Sequence, residues 1–171
     1  MKFIKKHYIW ILLTVLTLGY AIFSFMNLGS FTNPNTFVEG NSYVYQVEDP
    51  TIIYKIRYFT GHIFNQMKIY VSNDNENYTL LSEENNKYVF SWNDIVTQNA
   101  FSYLKIELEE ETNLGEIAVF DERGNQLSLK ALSSNGETLL DEQSTIPEKI
   151  SSYNSAYFDE VYFARTSYEY A

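Results

Sequence analysis

The chain has 171 residues, enough for one domain of ordinary size and a short additional segment. It contains no cysteine and two histidines, which excludes disulfides and a thiol nucleophile and disfavours a histidine-based metal site. All 22 Asp and Glu residues follow residue 28, and a segment this acidic disfavours nucleic acid or anionic lipid as a partner.

The N-terminal region combines a basic cluster with a long apolar run. Residues 8–28 carry no charge, and Lys2, Lys5 and Lys6 precede them. A helix of that length crosses a hydrocarbon core of roughly 30 Å. A cleaved signal peptide is the alternative, but no Ala-x-Ala pattern ends the run. The sequence therefore predicts a transmembrane helix over residues 8–28 in the cell membrane, with residues 1–7 cytoplasmic and the rest of the chain extracellular.

A turn-rich linker over residues 29–41 leads into a segment of short strands, residues 42–132. Apolar residues alternate with polar ones in three runs: Tyr54, Ile56 and Tyr58; Met67, Ile69 and Val71; and Leu104, Ile106 and Leu108. A period of two indicates strands with one buried face. The segment is therefore predicted to be mainly β, an antiparallel sandwich that folds independently.

Three sequence runs in this segment resemble, in their order, those of a known family of β-sandwich domains. The runs over residues 68–79, 103–108 and 114–120 are a strand into a Ser-Asn-Asp turn, a Tyr-Leu-Lys-Ile strand and a Leu-Gly-Glu-Ile strand. Together they resemble a discoidin-like (galactose-binding-like) jelly roll. The chain lacks the cysteine pair that many extracellular members have. The resemblance implies that ligands meet the loops at one end of the sandwich, where some members hold a structural calcium.

Two features of this segment allow alternative interpretations. Asp74, Asn75 and Glu76 offer oxygen atoms of the kind that calcium prefers, but a solvated turn is favoured because no spaced acidic motif accompanies them. Trp92 suits a sugar-stacking platform, although a buried aromatic residue in a strand is favoured.

After a polar connector, residues 133–156, the C-terminal segment over residues 157–171 contains the start of a predicted short helix. Asp159 and Glu160 stand at its head, and Val161 and Arg165 follow on one face. From the residues alone, the two carboxylates complement the helix dipole.

The same segment resembles bacterial protein O-mannosyltransferase-like enzymes, which use lipid-phosphate sugars. The run that carries this resemblance is Tyr157-Phe158-Asp159-Glu160-Val161-Tyr162-Phe163-Ala164-Arg165-Thr166. In that family the Asp-Glu pair enters the active site just outside the membrane. The resemblance implies that Asp159 is the general base, with Glu160 its neighbour, and that Arg165 faces a phosphate or pairs with the nearby carboxylates.

Two functions are therefore expected. The first is the N-terminal part of a multi-span membrane glycosyltransferase that moves a sugar, mannose by resemblance, to a hydroxyl of a carbohydrate or protein acceptor. The chain contains no second apolar run, so by itself it is expected to be inactive. The alternative is a single-pass, membrane-anchored discoidin-like module for carbohydrate binding or adhesion. Neither function requires a cofactor or metal ion, and the expected partners are the lipid bilayer and the lipid-phosphate sugar.

Overall fold

The computed structural model describes residues 2–25, 33–49, 52–152, 154–156 and 159–170. For residues 2–6, 23, 25, 159, 160, 168 and 169 it describes the backbone alone. The chain divides into two compact units, Met1–Phe31 and Thr32–Ala171.

The described part of the first unit is a helix, α1 (Lys2–Phe25). The large apolar side chains described in it are exposed, with Trp10 at 71% and Tyr20 at 77%. Across the described residues, no helix is both long and apolar enough to cross a membrane. The predicted span over residues 8–28 is therefore not confirmed, and residues 26–28 lie outside the described residues.

The described part of the second unit forms two antiparallel sheets of five strands each. The first sheet has the order β1-β8-β3-β6, with β9 also paired to β8, and the second has the order β10-β2-β7-β4-β5. The strands are β1 (Val38–Glu39), β2 (Ser42–Val47), β3 (Ile52–Thr60), β4 (Gln66–Ser72), β5 (Thr79–Asn85), β6 (Trp92–Ala100), β7 (Tyr103–Leu108), β8 (Asn113–Asp121), β9 (Gln126–Leu127) and β10 (Leu129–Ala131).

The core lies between the two sheets, and its residues follow the predicted alternation. Leu104, Ile106 and Leu108 of β7 are buried together with Met67 and Ile69 of β4. Burial of such apolar side chains is the main source of folding free energy. The prediction of a mainly β, antiparallel sandwich is confirmed.

Strand β3 departs from the simple alternation. A bulge between Ile53 and Lys55 shifts its register against both β6 and β8. Ile53 and Ile56 are buried, whereas Tyr54 is 41% exposed. The prediction that Tyr54 shares a buried face with Ile56 is therefore wrong, because the extra residue of a bulge changes the face of those before it.

The segment after β10 packs on the sandwich instead of extending away from it. It forms two 3₁₀ turns, Gly136–Leu139 and Gln143–Thr145. Leu139 is fully buried and joins the core. The following residues, 140–152 and 154–156, are called the strap below. Leu140 packs against the core, and from Glu142 onward the strap forms hydrogen bonds with residues of the first sheet. The predicted short C-terminal helix is confirmed as α2 (Asp159–Glu169).

Candidate functional site

Strand β8 shows why the strap lies where it does. Ile117 and Val119 belong to the core, so Glu116, Ala118 and Phe120 alternate onto the opposite face of the sheet. These three are nevertheless buried. A buried polar group such as Glu116 needs partners, and the strap supplies them from the Glu142 backbone and the Gln143 side chain.

Arg57 of β3 is the first buried charge on this face, at 3% exposure. Its guanidinium forms a bidentate ion pair with Asp94 of β6, at 2.7 Å from Nε to Oδ1 and 2.7 Å from Nη2 to Oδ2. Nη1 donates to the carbonyl oxygen of Pro147 in the strap. The planar guanidinium thus joins two strands and the strap at once.

Glu116 of β8 is the second buried charge, at 0% exposure. Its Oε2 accepts the backbone N–H of Glu142 at 2.8 Å, and its Oε1 accepts the side-chain amide of Gln143. Burial raises the pKa of Glu116 to about 8, and the charges of Asp141 and Glu142 act in the same direction. The carboxyl group therefore stays largely neutral at pH 7.

The carboxylates of Asp141 and Glu142 also hold the segment that precedes β1. Glu142 Oε2 accepts the backbone N–H groups of Asn35 and Thr36 at 2.9 and 3.0 Å. The hydroxyl of Thr36 donates to both carboxylates. Oxygen atoms of Glu116, Asp141 and Glu142 lie within 4.8 Å of one another, a spacing that suits a cation, but their hydrogen bonds give them a structural role in the strap.

A pocket opens where the end of the strap meets the turn before β6. Its volume is about 420 Å³. The lining residues are Tyr88, Ser91, Trp92, Ile150, Ser151, Ser152, Ser155, Ala156 and Val161. Aromatic and aliphatic side chains thus share the walls of this Trp92 pocket with four serines, and ligand pockets commonly occupy roughly 300–1,000 Å³.

Trp92 is 2% exposed, so it is a buried aromatic residue at the start of a strand and not an open stacking platform. Its ring lies 5.1 Å from that of Phe59, centroid to centroid. Its backbone N–H donates to Ser155 Oγ at 3.1 Å. The indole Nε1 is buried and donates to no described group. Trp92 therefore fixes the strap, and one of its donors has no partner among the described residues.

The turn that carries Tyr88 is held in a demanding conformation. Phe90 has a φ of 49°, a region that bulky residues rarely adopt. Thr60 Oγ1 donates to the Tyr88 carbonyl at 2.7 Å and accepts the Ser91 N–H at 3.0 Å. The N–H of Ala156 donates to the Phe90 carbonyl at 2.8 Å. This network fixes the backbone and leaves the Tyr88 side chain 83% exposed beside the pocket.

The catalytic residues predicted from the sequence, Asp159 and Glu160, form the first turn of α2. Their side chains lie outside the described residues, as does Phe158. Val161 of the same turn lines the Trp92 pocket, so the dipeptide belongs to a helical turn that borders it. Arg165, the predicted substrate-binding residue, is exposed one turn further along.

The loop of Asp74 is organised by that carboxylate. It accepts the backbone N–H groups of Glu76 and Asn77 at 2.9 and 2.8 Å, and the Asn77 side chain at 2.7 Å. The Ser72 hydroxyl also donates to it. Hydrogen bonds from Asn77 and its neighbours lower the pKa of Asp74 well below its usual range. Asp74 therefore closes a tight turn.

Sequence reasoning did not identify Glu116 or Arg57 as important residues. A signal was present, because Glu116 interrupts an otherwise apolar run from Leu114 to Phe120. A charge in a strand of that kind is either paired or neutral once it is buried.

The chain matches no protein-family model and no curated protein. Among solved structures it is similar to chitosan-binding module 1, derived from a chitosanase/glucanase of Paenibacillus sp. IK-5. The two share 18% sequence identity with a TM-score of 0.41, over 55% of this chain and 80% of that chain. A likeness of that degree gives no information about the ligand or function of this chain.

Proposed function

We propose that the second unit is a non-catalytic, discoidin-like carbohydrate-binding module and that its ligand site is the Trp92 pocket. The observation that carries the proposal is the lining of this pocket, which combines Tyr88 and Trp92 with four serines. A sugar ring presents an apolar face of C–H groups and a rim of hydroxyl groups. The exposed ring of Tyr88 binds the former, and serine hydroxyls and backbone groups bind the latter.

Three further features support this proposal. Tyr88 is 83% exposed on a backbone fixed by Thr60, so its ring is available without a large ordering cost. The buried indole N–H of Trp92, a lining residue, has no hydrogen-bond partner among the described residues and can donate to a ligand. The charged groups under the strap are already paired or neutral, which favours an uncharged ligand over an ionic one.

The test is binding of the purified full-length chain to a panel of neutral oligosaccharides, measured by calorimetry. Tyr88→Ala should weaken binding about 10-fold or more, because it removes the exposed ring while leaving the buried turn in place. Tyr54→Ala is the matched control, since Tyr54 is also an exposed tyrosine but lies at the opposite end of the β3–β6 pair. Equal affinities for the two variants would show that the pocket is not the site.

A second candidate function is transfer of a lipid-phosphate-linked sugar, mannose by resemblance, to a hydroxyl acceptor. The observation that favours it is the position of Val161: the helical turn that contains Asp159 and Glu160 also contributes a wall of the pocket. In this function Asp159 takes the acceptor proton, Glu160 adjusts its neighbour, and Arg165 faces the phosphate of the donor.

This second function is tested in the native cells by replacing the chromosomal Asp159 codon with one for Asn. The amide cannot accept the proton, so transfer should fall about 10²- to 10⁴-fold with unchanged protein level. Glu160→Gln is the matched control and should lose less. If the Asp159→Asn cells keep more than about a third of their transfer activity, the helix dipole is the better account of the dipeptide.

Membrane attachment through residues 8–28 remains part of the proposal. It rests on the uncharged run after Lys2, Lys5 and Lys6 and on the exposed apolar side chains of α1. Protease added to intact cells should digest the second unit, and its protection would contradict the proposed orientation.

A further inference from the structure

The side chain of Trp92 is held firmly in one position. Its ring packs against that of Phe59 at 5.1 Å, centroid to centroid, and its backbone N–H donates to Ser155 Oγ at 3.1 Å. The preceding residue, Ser91, is fixed by Thr60, whose N–H donates to the Ser91 carbonyl at 3.0 Å and whose Oγ1 accepts the Ser91 N–H at 3.0 Å. The direction of the indole N–H is therefore set before a ligand arrives, which lowers the ordering cost of binding.

The indole N–H of Trp92 is a buried donor that has no hydrogen-bond partner among the described residues. Such groups are rare, because burying a donor without an acceptor is unfavourable. An indole nitrogen donates only, so the group that completes it has to be an acceptor. Since Trp92 lines the pocket, a ligand that brings an acceptor into the pocket gains this hydrogen bond.

The other lining side chains restrict what else this ligand carries. Ile150, Ala156 and Val161 are aliphatic, and none of the lining residues is charged. An ionic group would therefore lose its hydration here without gaining an oppositely charged partner. A hydroxyl group brings a proton that needs an acceptor of its own, whereas a carbonyl oxygen accepts the indole N–H and brings no proton.

We infer that the Trp92 pocket selects sugars that carry an acetamido group, and this inference rests on the function proposed above. The acetamido group combines three parts that match the lining of the pocket. Its carbonyl oxygen accepts the indole N–H of Trp92, its methyl group packs against Ile150 and Val161, and its N–H donates to a serine hydroxyl. The ring of the same sugar lies against Tyr88, whose side chain is 83% exposed.

The test compares three trisaccharides that share one glycosidic linkage and differ in a single substituent of each ring. Triacetylchitotriose carries acetamido groups, cellotriose carries hydroxyl groups and chitotriose carries charged amino groups. Calorimetry with the full-length chain should show that triacetylchitotriose binds about 10-fold or more tightly than cellotriose, because one small apolar group in a fitted pocket changes affinity roughly 10- to 200-fold. Chitotriose should bind most weakly, because its charged groups have no partner among the lining residues.

Two variants identify the donor. Trp92→Phe keeps an aromatic ring beside Phe59 but lacks the N–H, so the preference for triacetylchitotriose over cellotriose should fall by about 3- to 10-fold, as expected for one lost hydrogen bond. Trp10→Phe is the matched control, since it removes the other tryptophan of the chain, which is exposed in α1. This control should leave the preference unchanged, and an equal loss in both variants would contradict the role of Trp92.

The indole N–H also gives a readout that does not require Trp92→Phe to fold. An isotope-labelled Trp10→Phe chain has one indole N–H, that of Trp92, and its NMR signal should shift downfield with triacetylchitotriose and far less with cellotriose. An unshifted signal during binding would overturn the inference. Equal affinities for the two sugars, both weakened by Tyr88→Ala, would overturn it while leaving the proposed function intact. Absence of binding to every sugar tested would overturn both.

Discussion

Arg57 and Glu116 are buried on the same face of the first sheet, yet the unfavourable free energy of burying a charge is avoided differently for each. Arg57 stays charged because Asp94 and the Pro147 carbonyl surround its guanidinium. Glu116 forms no ion pair with a described cation, and burial raises its pKa to about 8, so it keeps its proton at neutral pH. Each of the two side chains forms a hydrogen bond with a backbone group of the strap. The strap therefore helps to stabilise both buried polar groups of the sheet.

For the ion pair we expect strong coupling between its two members. Arg57→Leu leaves the Asp94 carboxylate and the Pro147 carbonyl without a partner and should lower the free energy of unfolding by roughly 2–4 kcal/mol. Arg57→Leu combined with Asp94→Leu should cost clearly less than the sum of the single changes. Urea denaturation measures all three.

The matched control is Lys87→Leu, which breaks the more exposed pair with Glu84 and should cost less than about 1 kcal/mol. Additive costs for Arg57 and Asp94 would contradict the buried-pair account.

For Glu116 we expect stability to fall as the pH rises. Between pH 4.5 and about 8 the folded state keeps a proton that the unfolded state has released, so the free energy of unfolding decreases across this range. The total decrease should be about 5 kcal/mol, because each pH unit between the two pKa values contributes about 1.4 kcal/mol. The hydrogen-bonded carboxylates with lowered pKa values, such as Asp74, act in the opposite direction and below this range.

Chemical denaturation at pH 5, 6.5 and 8.5 measures the effect, and Glu116→Gln should flatten the profile. A wild-type profile that is flat, or that rises with pH, would show that Glu116 ionises freely in the folded state.

The strap is an element of the domain, and removing it should disrupt the first sheet. A chain of residues 33–132 leaves Arg57, Glu116 and Trp92 without the partners that the strap supplies. We expect it to lose several kcal/mol and to bind a hydrophobic dye such as ANS.

The comparison is a chain of residues 33–156, which keeps the strap and should unfold cooperatively with little dye binding. Equal urea midpoints for the two chains would mean that residues 42–132 suffice, as the strand pattern alone predicts.

At the scale of strands and loops, the sequence predicted features that depend on neighbouring residues. It did not predict features that depend on contacts between distant parts of the chain. Period-two alternation identified β4 and β7 because it depends on neighbouring side chains only. The bulge before Lys55 has no corresponding pattern in the sequence. The Trp92 pocket could not be predicted, since it requires residues 88–92 to meet residues separated from them by about 60 positions. The Asp159–Glu160 dipeptide was found by resemblance, and the structure adds the pocket beside its helix.

At the scale of the whole chain, the contacts that stabilise the second unit can be traced to its own residues. The second unit has a core of its own between its sheets. The residues that begin it also contribute, because Asn35 and Thr36 donate to Glu142, and the Phe37 ring lies 6.4 Å from that of Phe59 and 6.2 Å from that of Phe90, centroid to centroid. The boundary between essential and dispensable residues should therefore fall between residues 31 and 35.

This boundary can be measured with two shortened chains. A chain that starts at residue 32 keeps every contact just described, so its melting temperature should lie within about 2 °C of that of the full-length chain. A chain that starts at residue 38 loses the hydrogen bonds to Glu142 and the Phe37 ring, each worth about 1 kcal/mol or more. Its melting temperature should be lower by roughly 5–15 °C. If the chain from residue 32 melts as early as the chain from residue 38, the first unit contributes to the stability of the sandwich, and the two units do not fold separately.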